Sequence, residues 1–283
     1  MTIGEAKKYI ISELELYTES ATFEATEILI YATDTDRTKL LFSAKEKIGR
    51  GQFIKIKRII SRRKKGIPLQ YLLGEWEFYS IPLKVGKGVL VPRPDTELLV
   101  DTALEYLAPL DGKANVLDLC AGTGAVGIAI GKNCPKAEVT LVEKSKKAFR
   151  FLRQNIKLNP CNCMAVMEDV LSFIPVNRCD LIVCNPPYIP TDDIKSLAEE
   201  VKREPKMALD GGNDGLDFYR KITARTDRLL KKGGRIIYEI GFDQGEKVKE
   251  ILEANGFINV EILKDFSGND RVVFGDIKKD KKV

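Results

Sequence analysis

The sequence predicts an α/β fold: a doubly wound sheet that finishes in an antiparallel pair of strands, preceded by a small N-terminal helical bundle and a linking β-hairpin. Two observations carry this prediction. Beyond residue 94, helical and strand patterns alternate, starting with a strand at 114–119 and a helix after Gly124. Near the end, strands predicted at 258–263 and 271–274 have no helix between them, which is typical of an antiparallel pair.

The remaining strands are short apolar runs that helical patterns separate. We place them at 138–142, 165–168, 181–184 and 235–239, and we place a further helix at about 95–108. Parallel strands need such crossover helices, so the alternation indicates a mostly parallel sheet with helices on both faces.

The first 73 residues carry a different pattern, in which apolar residues such as Ile3 and Ile10 recur near the helical period. Turn and capping residues separate these runs, which predicts a bundle of short amphipathic helices. From 74 to 94 aromatic and β-branched residues dominate, and Gly86-Lys87-Gly88 can turn the chain back, which predicts the hairpin. The chain is therefore divided into the bundle 1–73, the hairpin 74–94, the α/β domain 95–276 and a basic tail 277–283 that is predicted to be disordered.

The 283 residues include no histidine, which excludes Ser–His–Asp and Cys–His nucleophile systems and histidine-ligated metals. The formal net charge is +5, from 46 Lys and Arg against 41 Asp and Glu. The segment 51–65 contains seven cations and no acid, and the tail is basic too, so the rest of the chain is mildly acidic. Such a run is ordinarily a solvated helix face, and contact with an anionic partner is the alternative.

The chain has six cysteines, at positions 120, 134, 161, 163, 179 and 184. None forms a C-x-x-C pair, so we expect no metal site, and we expect reduced thiols that serve as small buried apolar groups. The N-terminus has no apolar signal-peptide core, and no stretch approaches the ~18 apolar residues of a membrane span. These features predict a cytoplasmic protein with no membrane partner.

A Gly-rich turn, with Gly122, Gly124 and Gly127, joins the strand at 114–119 to the following helix. The spacing G-x-G-x-x-G first suggests a dinucleotide-binding loop. Asp118 argues against it, because a carboxylate at the end of that strand repels a pyrophosphate on the helix N-terminus. The same carboxylate attracts a cation, such as the ammonium group of a methionine moiety.

Two more acids end the next two predicted strands. Glu143 stands where both ribose hydroxyls of an adenosine can be accepted, and Asp169 stands where the adenine amino group can be accepted. A single acid at a strand end is often only a helix N-cap. Three acids expected in register on successive strands, Asp118 included, predict a site for S-adenosylmethionine.

A second motif, Asn185-Pro186-Pro187-Tyr188, follows the strand predicted at 181–184. The prolines fix φ and push Asn185 toward extended geometry, which predicts a stiff loop at the carboxyl edge of the sheet. The Asn185 side-chain carbonyl and the Pro186 backbone carbonyl can accept from a planar NH₂ group, against which Tyr188 packs. The motif suits adenine N6 and a glutamine amide equally, and a plain Pro-Pro loop is the alternative without chemistry. No strong base is needed, because a sulfonium methyl is already activated.

These motifs resemble those of class I S-adenosylmethionine-dependent methyltransferases, which have a Rossmann-like fold and act on exocyclic or amide nitrogen. Three further stretches narrow the resemblance: 68–79 (PLQYLLGEWEFY), 91–97 (VPRPDTE) and 204–220, which contains Gly211-Gly212 and Tyr219-Arg220. Together they are similar to the PrmC/HemK family, the protein-(glutamine-N5) methyltransferases of peptide chain release factors. The resemblance runs from the N-terminal bundle to about Gly275.

The resemblance implies that the substrate is the glutamine of the Gly-Gly-Gln loop in class I release factors. It implies that Asn185, Pro186 and Tyr188 are catalytic and that, with Pro187, they bind the glutamine amide. The residues predicted to bind the cofactor include the three acids and lie mostly in the Gly-rich turn: Asp118, Cys120, Ala121, Gly122, Thr123, Gly124, Glu143, Asp169, Val170 and Asn185.

Four residues depart from the family pattern or have no clear role in it. The family commonly has a small residue or glycine where Cys120 stands and often a larger one where Val170 stands. Arg93 and Glu97 match the family's 91–97 motif, and a structural salt bridge is one explanation of their presence.

Three other functions stay open at this stage. A ribosomal-protein glutamine methyltransferase would carry the same reacting motif. An adenine-N6 nucleic-acid methyltransferase should add a target-recognition domain and a basic channel beside the sheet, whereas the body of this chain is acidic, so nucleic acid is not expected as the substrate. A non-catalytic adaptor for a translation factor would need neither Asn185 nor Asp118.

Overall fold

The structure, a computed structural model, describes residues 1–278. Most of the tail predicted at 277–283 therefore lies outside the described residues, although Ile277 still belongs to the last strand. The described chain forms two compact units. The first contains Met1–Glu75 and Ala198–Arg203, and the second contains Trp76–Leu197 and the chain from Glu204 onward. The sequence-based division differs here, because it places 198–203 in the α/β domain.

The first unit is built from five helices. They are α1 (Ile3–Leu14), α2 (Ala21–Thr33), α3 (Arg37–Phe42), α4 (Arg50–Arg63) and α5 (Leu69–Leu73). Thr2 and Glu5 form a capping box at the start of α1, and the Asp36 side chain caps α3 by accepting from the Lys39 N–H. Apolar side chains such as Ile10, Leu29 and Ile56 are fully buried between the helices, as the periodicity predicts.

The basic segment 51–65 is not a uniformly solvated helix face, because a buried ion pair forms near its end. Arg63 is 5% exposed and donates to both carboxylate oxygens of Glu24, each at 2.8 Å. The same guanidinium lies 2.6 Å from the Glu200 carboxylate, which belongs to the same compact unit. Lys64 lies 2.5 Å from Glu13. Two of the seven cations are thus paired with acids.

The linking hairpin consists of β1 (Glu75–Phe78) and β2 (Ile81–Lys84), and its turn is Tyr79-Ser80. The prediction that 86–88 is the turn of the hairpin was wrong: a turn does form there, with the Val89 N–H donating to the Gly86 carbonyl at 3.3 Å, but it lies beyond β2. Both residues of the hairpin turn have positive φ, 52° and 57°, as the favoured two-residue hairpin turn requires. Neither is a Gly, Asn or Asp, the residues that such a turn favours, so the sequence carries no strong signal for it. The Glu97 carboxylate helps hold the turn by accepting from the Tyr79 N–H at 2.8 Å.

The second unit contains a seven-stranded sheet in the order β5-β4-β3-β6-β7-β9-β8. Its strands are β3 (Ala114–Leu119), β4 (Ala137–Val142), β5 (Cys163–Val166), β6 (Cys179–Cys184), β7 (Leu230–Glu239), β8 (Phe257–Lys264) and β9 (Asp270–Ile277). Its helices are α6 (Glu97–Leu107), α7 (Ala125–Asn133), α8 (Lys146–Leu158), α9 (Asp217–Thr223), α10 (Thr226–Leu229) and α11 (Gly245–Ala254). Strand β5 begins and ends two residues before its predicted bounds of 165–168.

The predicted fold class is confirmed. Strands β3 to β7 pair in parallel, and β9 runs antiparallel to both β7 and β8. Alternate residues of a strand enter two separate apolar cores. Val116 and Val183 belong to the core that contains α6 and α7 residues, whereas Leu117 and Ile182 belong to the core that contains α9 and α11 residues. A sheet buried on both faces leaves only its edges for ligands, and the carboxyl ends of the five parallel strands share one edge.

The buried ion pair generates a prediction about the helical unit. Replacing Arg63 with alanine should lower the free energy of unfolding by about 3–5 kcal/mol, because Glu24 is then buried without its partner. The matched control is Arg62→Ala on the same helix, where the side chain is exposed, so a change within about 0.5 kcal/mol is expected. Urea denaturation measures both. Equal losses for the two variants would contradict the role given to the pair.

Candidate active site

The pairing of three neighbouring strands brings distant residues together at the carboxyl edge of the sheet. Leu119 of β3 lies opposite Cys184 of β6, and Cys184 lies opposite Tyr238 of β7. The next residues along these strands, Cys120, Asn185 and Glu239, therefore lie side by side. Strand β3 lies between β4 and β6, so the strand order reverses direction at β3. Open α/β sheets bind ligands at such a switch point.

The Gly-rich turn leaves β3 through a left-handed residue. Cys120 has a φ of 62°, a conformation that glycine adopts freely and that costs other residues about 1 kcal/mol or more. A glycine at this position would avoid that cost. Two residues later the Gly122 N–H donates to Oε2 of Glu143 at 2.8 Å, which ties the turn to the end of β4.

Glu143 directly follows β4 and is 8% exposed. Its Oε1 accepts from the Ser145 N–H at 2.6 Å, and its Oε2 accepts from Gly122. Burial raises the pKa of Glu143, and these backbone donors partly oppose the rise. The Gly122 N–H is thus engaged by a carboxylate and is not available to a pyrophosphate, which argues against the dinucleotide interpretation. Each carboxylate oxygen of Glu143 keeps a further lone pair for a hydroxyl donor.

Asp118 lies beneath the turn. The sequence interpretation assumed that it is in register with Glu143, and it is not. It is inside β3, opposite Leu141, and is 2% exposed. Its Oδ2 accepts from the Gly127 N–H at 2.9 Å, in the first turn of α7. Burial raises the pKa of Asp118 to about 7, against the Gly127 hydrogen bond that lowers it, and the charge of Glu143 adds to the rise. Asp118 therefore braces the turn from below.

Asp169 lies three residues beyond the end of β5, so it is not in register with the other two acids either. It forms an ion pair with Lys144 at 2.7 Å and accepts from the Leu171 N–H at 3.0 Å. Burial alone would raise the pKa of Asp169, but these two partners lower it overall. Val170 is buried, and its carbonyl accepts from Arg225 at 2.9 Å.

The Asn185–Tyr188 loop is held from several sides. Pro186 and Pro187 are buried, and the Gln244 side chain donates to the Tyr188 carbonyl at 2.9 Å. The Asn185 side-chain nitrogen, Nδ2, donates to Oγ1 of Thr96 at 3.4 Å. Burial raises the pKa of the Tyr188 hydroxyl, so this group stays protonated near neutral pH.

The 211–220 motif supports this loop from below. The Gly211 N–H donates to the Ile189 carbonyl at 2.8 Å, and the Tyr219 hydroxyl donates to the Glu239 carbonyl at 2.9 Å. A Cβ on Gly215 would lie 2.3 Å from the Tyr188 carbonyl oxygen, closer than any side chain can come. The motif is thus needed for the shape of the Asn185–Tyr188 loop.

Sequence reasoning missed three residues of this edge: Thr96, Gln244 and Glu239. Glu239 ends the strand predicted at 235–239, which is the same signal that identified Glu143. Thr96 lies within the 91–97 motif. Gln244 carries no signal, because its contact with Tyr188 depends on how the chain folds back.

Arg93 and Glu97 hold backbone and loops in place. Arg93 forms an ion pair with Glu204, whose carboxylate also accepts from the Val91 N–H at 2.8 Å. Glu97 accepts from the hairpin turn, as described above. These contacts account for both residues as structural members of the 91–97 motif.

Three properties bear on other kinds of site. Among residues 1–278, no three acids, cysteines or histidines come together in a way that could hold a metal ion. All six cysteines are free thiols. No helix in the described part of the chain is both long enough and apolar enough to cross a bilayer.

The close approach at Gly215 yields a prediction with a matched control. Gly215→Ala should lower the melting temperature by about 5 °C more than Gly112→Ala. Both glycines have positive φ, 74° and 69°, so the backbone cost is shared. A Cβ at Gly112 meets nothing within 4 Å, whereas a Cβ at Gly215 meets the Tyr188 carbonyl. Equal melting temperatures, measured by circular dichroism, would show that the loop yields without cost.

Comparison with known proteins agrees with this geometry. Residues 94–215 match the family model of the methyltransferase small domain, and residues 5–74 match that of the PrmC N-terminal domain. A release factor glutamine methyltransferase from Thermodesulfovibrio yellowstonii is 41% identical over 88% of this chain and 90% of its own length. One from Clostridium acetobutylicum is 39% identical over 96% of this chain and 98% of its own length.

A solved structure shows the likeness of fold. A methyltransferase from Pyrococcus furiosus covers 82% of this chain and 100% of its own, with a TM-score of 0.51 and 17% sequence identity. At that identity the likeness concerns the fold alone. The full-length relatives, by contrast, match both compact units at well above 30% identity. On these grounds the chain belongs to the family of release factor glutamine methyltransferases.

Proposed function

We propose that this chain transfers a methyl group from S-adenosylmethionine to the side-chain amide nitrogen of the glutamine in the Gly-Gly-Gln motif of class I peptide chain release factors. The observation that carries the proposal is the stiff Asn185–Tyr188 loop, which stands at the switch point beside the Gly-rich turn. The names of the full-length relatives support the substrate, since they are release factor glutamine methyltransferases.

The methyl donor is S-adenosylmethionine, which when bound supplies a methyl group activated by a positively charged sulfur. The residues present fit it. Glu143 keeps lone pairs on both carboxylate oxygens, as two ribose hydroxyls require. The 120–124 turn would lie along the donor, with the buried carboxyl group of Asp118 beneath the turn. Asp169 and Val170 would border the adenine.

The protein would act on the acceptor amide by positioning it, without a catalytic base. Oδ1 of Asn185 and the carbonyl of Pro186 can each accept one amide hydrogen, which directs the remaining face of the nitrogen toward the donor. Tyr188 would pack against the flat amide. The pKa of its hydroxyl is raised by burial, so it is not the base. The nitrogen becomes more acidic as the new bond forms, so its proton can leave late, to water.

The helical unit is the candidate for recognising the body of the release factor. Several cations of α4 and the residues after it remain exposed and could meet an acidic surface of the factor or nearby RNA: Lys57, Arg58, Arg62 and Lys65. A factor that acts in translation would be met in the cytoplasm, which is the location we propose.

The function is tested by offering three acceptors side by side: release factor, ribosomal protein and DNA. Labelled methyl should pass from S-adenosylmethionine to the release factor and to neither of the others. Changing the acceptor glutamine to alanine should abolish the label. Labelled ribosomal protein or labelled oligonucleotide would support one of the alternative methyltransferases, and no transfer to any acceptor would support an adaptor.

The role of Asn185 is tested separately. Asn185→Ala should lower kcat by about 10²–10³-fold, since a preorganised polar contact to the reacting group is lost. Cofactor affinity, measured by calorimetry, should change little. A collapse of cofactor affinity with the remaining turnover intact would mean that Asn185 serves the donor and not the acceptor.

A further inference from the structure

Glu239 is a buried acid with an incomplete set of partners. It ends β7 beside Asn185, it is 2% exposed, and within the described residues its Oε2 has no hydrogen-bond partner. A buried carboxylate oxygen without a donor costs free energy, so its presence calls for a function or a compensating contact.

The contacts that join Glu239 to neighbouring elements of the fold are made by its main chain. The backbone carbonyl of Glu239 accepts from Tyr219, and the residue pairs with Val272 of β9, and both contacts are made by the main chain. Arg271, whose charge acts on Glu239, donates to the Asp265 carboxylate at 3.0 Å and to the Ile240 carbonyl at 3.3 Å. Within residues 1–278, Glu239 forms no ion pair that would account for its buried carboxylate.

The neighbouring polar groups connect Glu239 to the acceptor site. Burial raises the pKa of Glu239 to about 7, while the nearby side chains of Thr96 and Asn185 and the charge of Arg271 lower it and Asp95 raises it. Asn185 already donates through Nδ2 to Oγ1 of Thr96, which is 4% exposed. The Thr96 hydroxyl thus accepts from Asn185 and keeps its own hydrogen for another acceptor.

A carboxylate in this place fixes the direction of the whole chain of hydrogen bonds. An ionised carboxylate can only accept, so a Thr96 hydroxyl that turns its hydrogen to Glu239 can serve Asn185 only as an acceptor, which is the direction of its bond with Nδ2. With Nδ2 turned inward, Oδ1 of Asn185 faces outward, where a substrate amide would donate to it. Without this constraint the Asn185 amide can rotate and turn its Nδ2 group, a donor, toward the NH₂ group of the substrate amide, which is also a donor.

We propose that Glu239 is a positioning residue which, through Thr96, holds the Asn185 amide with Oδ1 toward the acceptor glutamine. This inference rests on the proposed function and deepens it. It assigns to the 91–97 motif, through Thr96, a part in the chemistry that Arg93 and Glu97 do not have.

Kinetics with release factor as acceptor give the first test. Glu239→Gln and Thr96→Val should each lower kcat by about tenfold or more, with little change in the KM for S-adenosylmethionine. Thr96→Ser, which keeps the hydroxyl, should retain activity. The double variant should be no slower than the single ones, because the residues act as one unit. The matched control is Thr102→Val, another buried threonine 4% exposed, which should stay within about twofold.

Nuclear magnetic resonance of the free protein gives a second test that needs no acceptor. The side-chain amide signals of Asn185, identified by their loss in Asn185→Ala, should shift as pH rises through about 7. In Glu239→Gln this shift should disappear, although Asp118 still titrates in the same range. The Asn133 side chain, whose Nδ2 donates a hydrogen bond to the Ala129 carbonyl in α7, serves as the internal reference.

These tests separate the two proposals. An Asn185 signal that titrates alike in wild type and Glu239→Gln would overturn the positioning role, as would unchanged kcat in both Glu239→Gln and Thr96→Val. A wild-type protein that methylates no release factor would refute the proposed function, and the Asn185 signals would still decide how the amide is held. Loss of folding in Glu239→Gln, seen by circular dichroism, would leave Thr96→Val and Thr96→Ser as the deciding pair.

Discussion

The alignment of β3, β6 and β7 is the constraint on which the rest of the structure depends. These strands come from distant parts of the chain, yet their register sets Cys120, Asn185 and Glu239 side by side at one edge. A shift of one residue would reverse which face each side chain points to. The apolar side chains buried on both faces of the sheet resist such a shift, so the two cores fix the geometry of the site.

Chemistry by position is consistent with a chain that has no histidine. The donor brings an activated methyl group, and the protein has only to hold the acceptor nitrogen in line. Rigidity is therefore the property to expect around the reacting atoms. Two prolines, the hydrogen bond from Gln244 and the close backbone contact at Gly215 all restrict the Asn185–Tyr188 loop.

Buried acids are the second feature of this edge, and they are costly to keep. Burial raises the pKa values of Asp118, Glu143 and Glu239, which means that the folded protein stabilises their charged forms poorly. For each group the stabilisation from the bound proton is complete below the pKa of the unfolded chain and is lost as pH rises through the folded value. Asp118 and Glu143 are partly compensated by backbone N–H donors.

The fold was largely predictable, because apolar periodicity and helix–strand alternation are strong over long segments. The hairpin turn was not, since Tyr79-Ser80 lacks the Gly, Asn or Asp that its positive φ angles favour and is stabilised from elsewhere by Glu97. At the site, motif spacing located the turn and the Asn185–Tyr188 loop. It misjudged Asp118, because sequence does not show that a strand residue points under a turn. It also could not find Gln244, whose contact with Tyr188 arises only in the folded chain.

The most direct test of the central claim is a structure of this protein bound to S-adenosylhomocysteine and a class I release factor. The glutamine amide nitrogen of Gly-Gly-Gln should lie about 2.7–3.2 Å from both Oδ1 of Asn185 and the carbonyl oxygen of Pro186. Its open face should point toward the cofactor sulfur. A glutamine bound away from the Asn185–Tyr188 loop, or an Asn185 that presents Nδ2 to the substrate, would contradict the account.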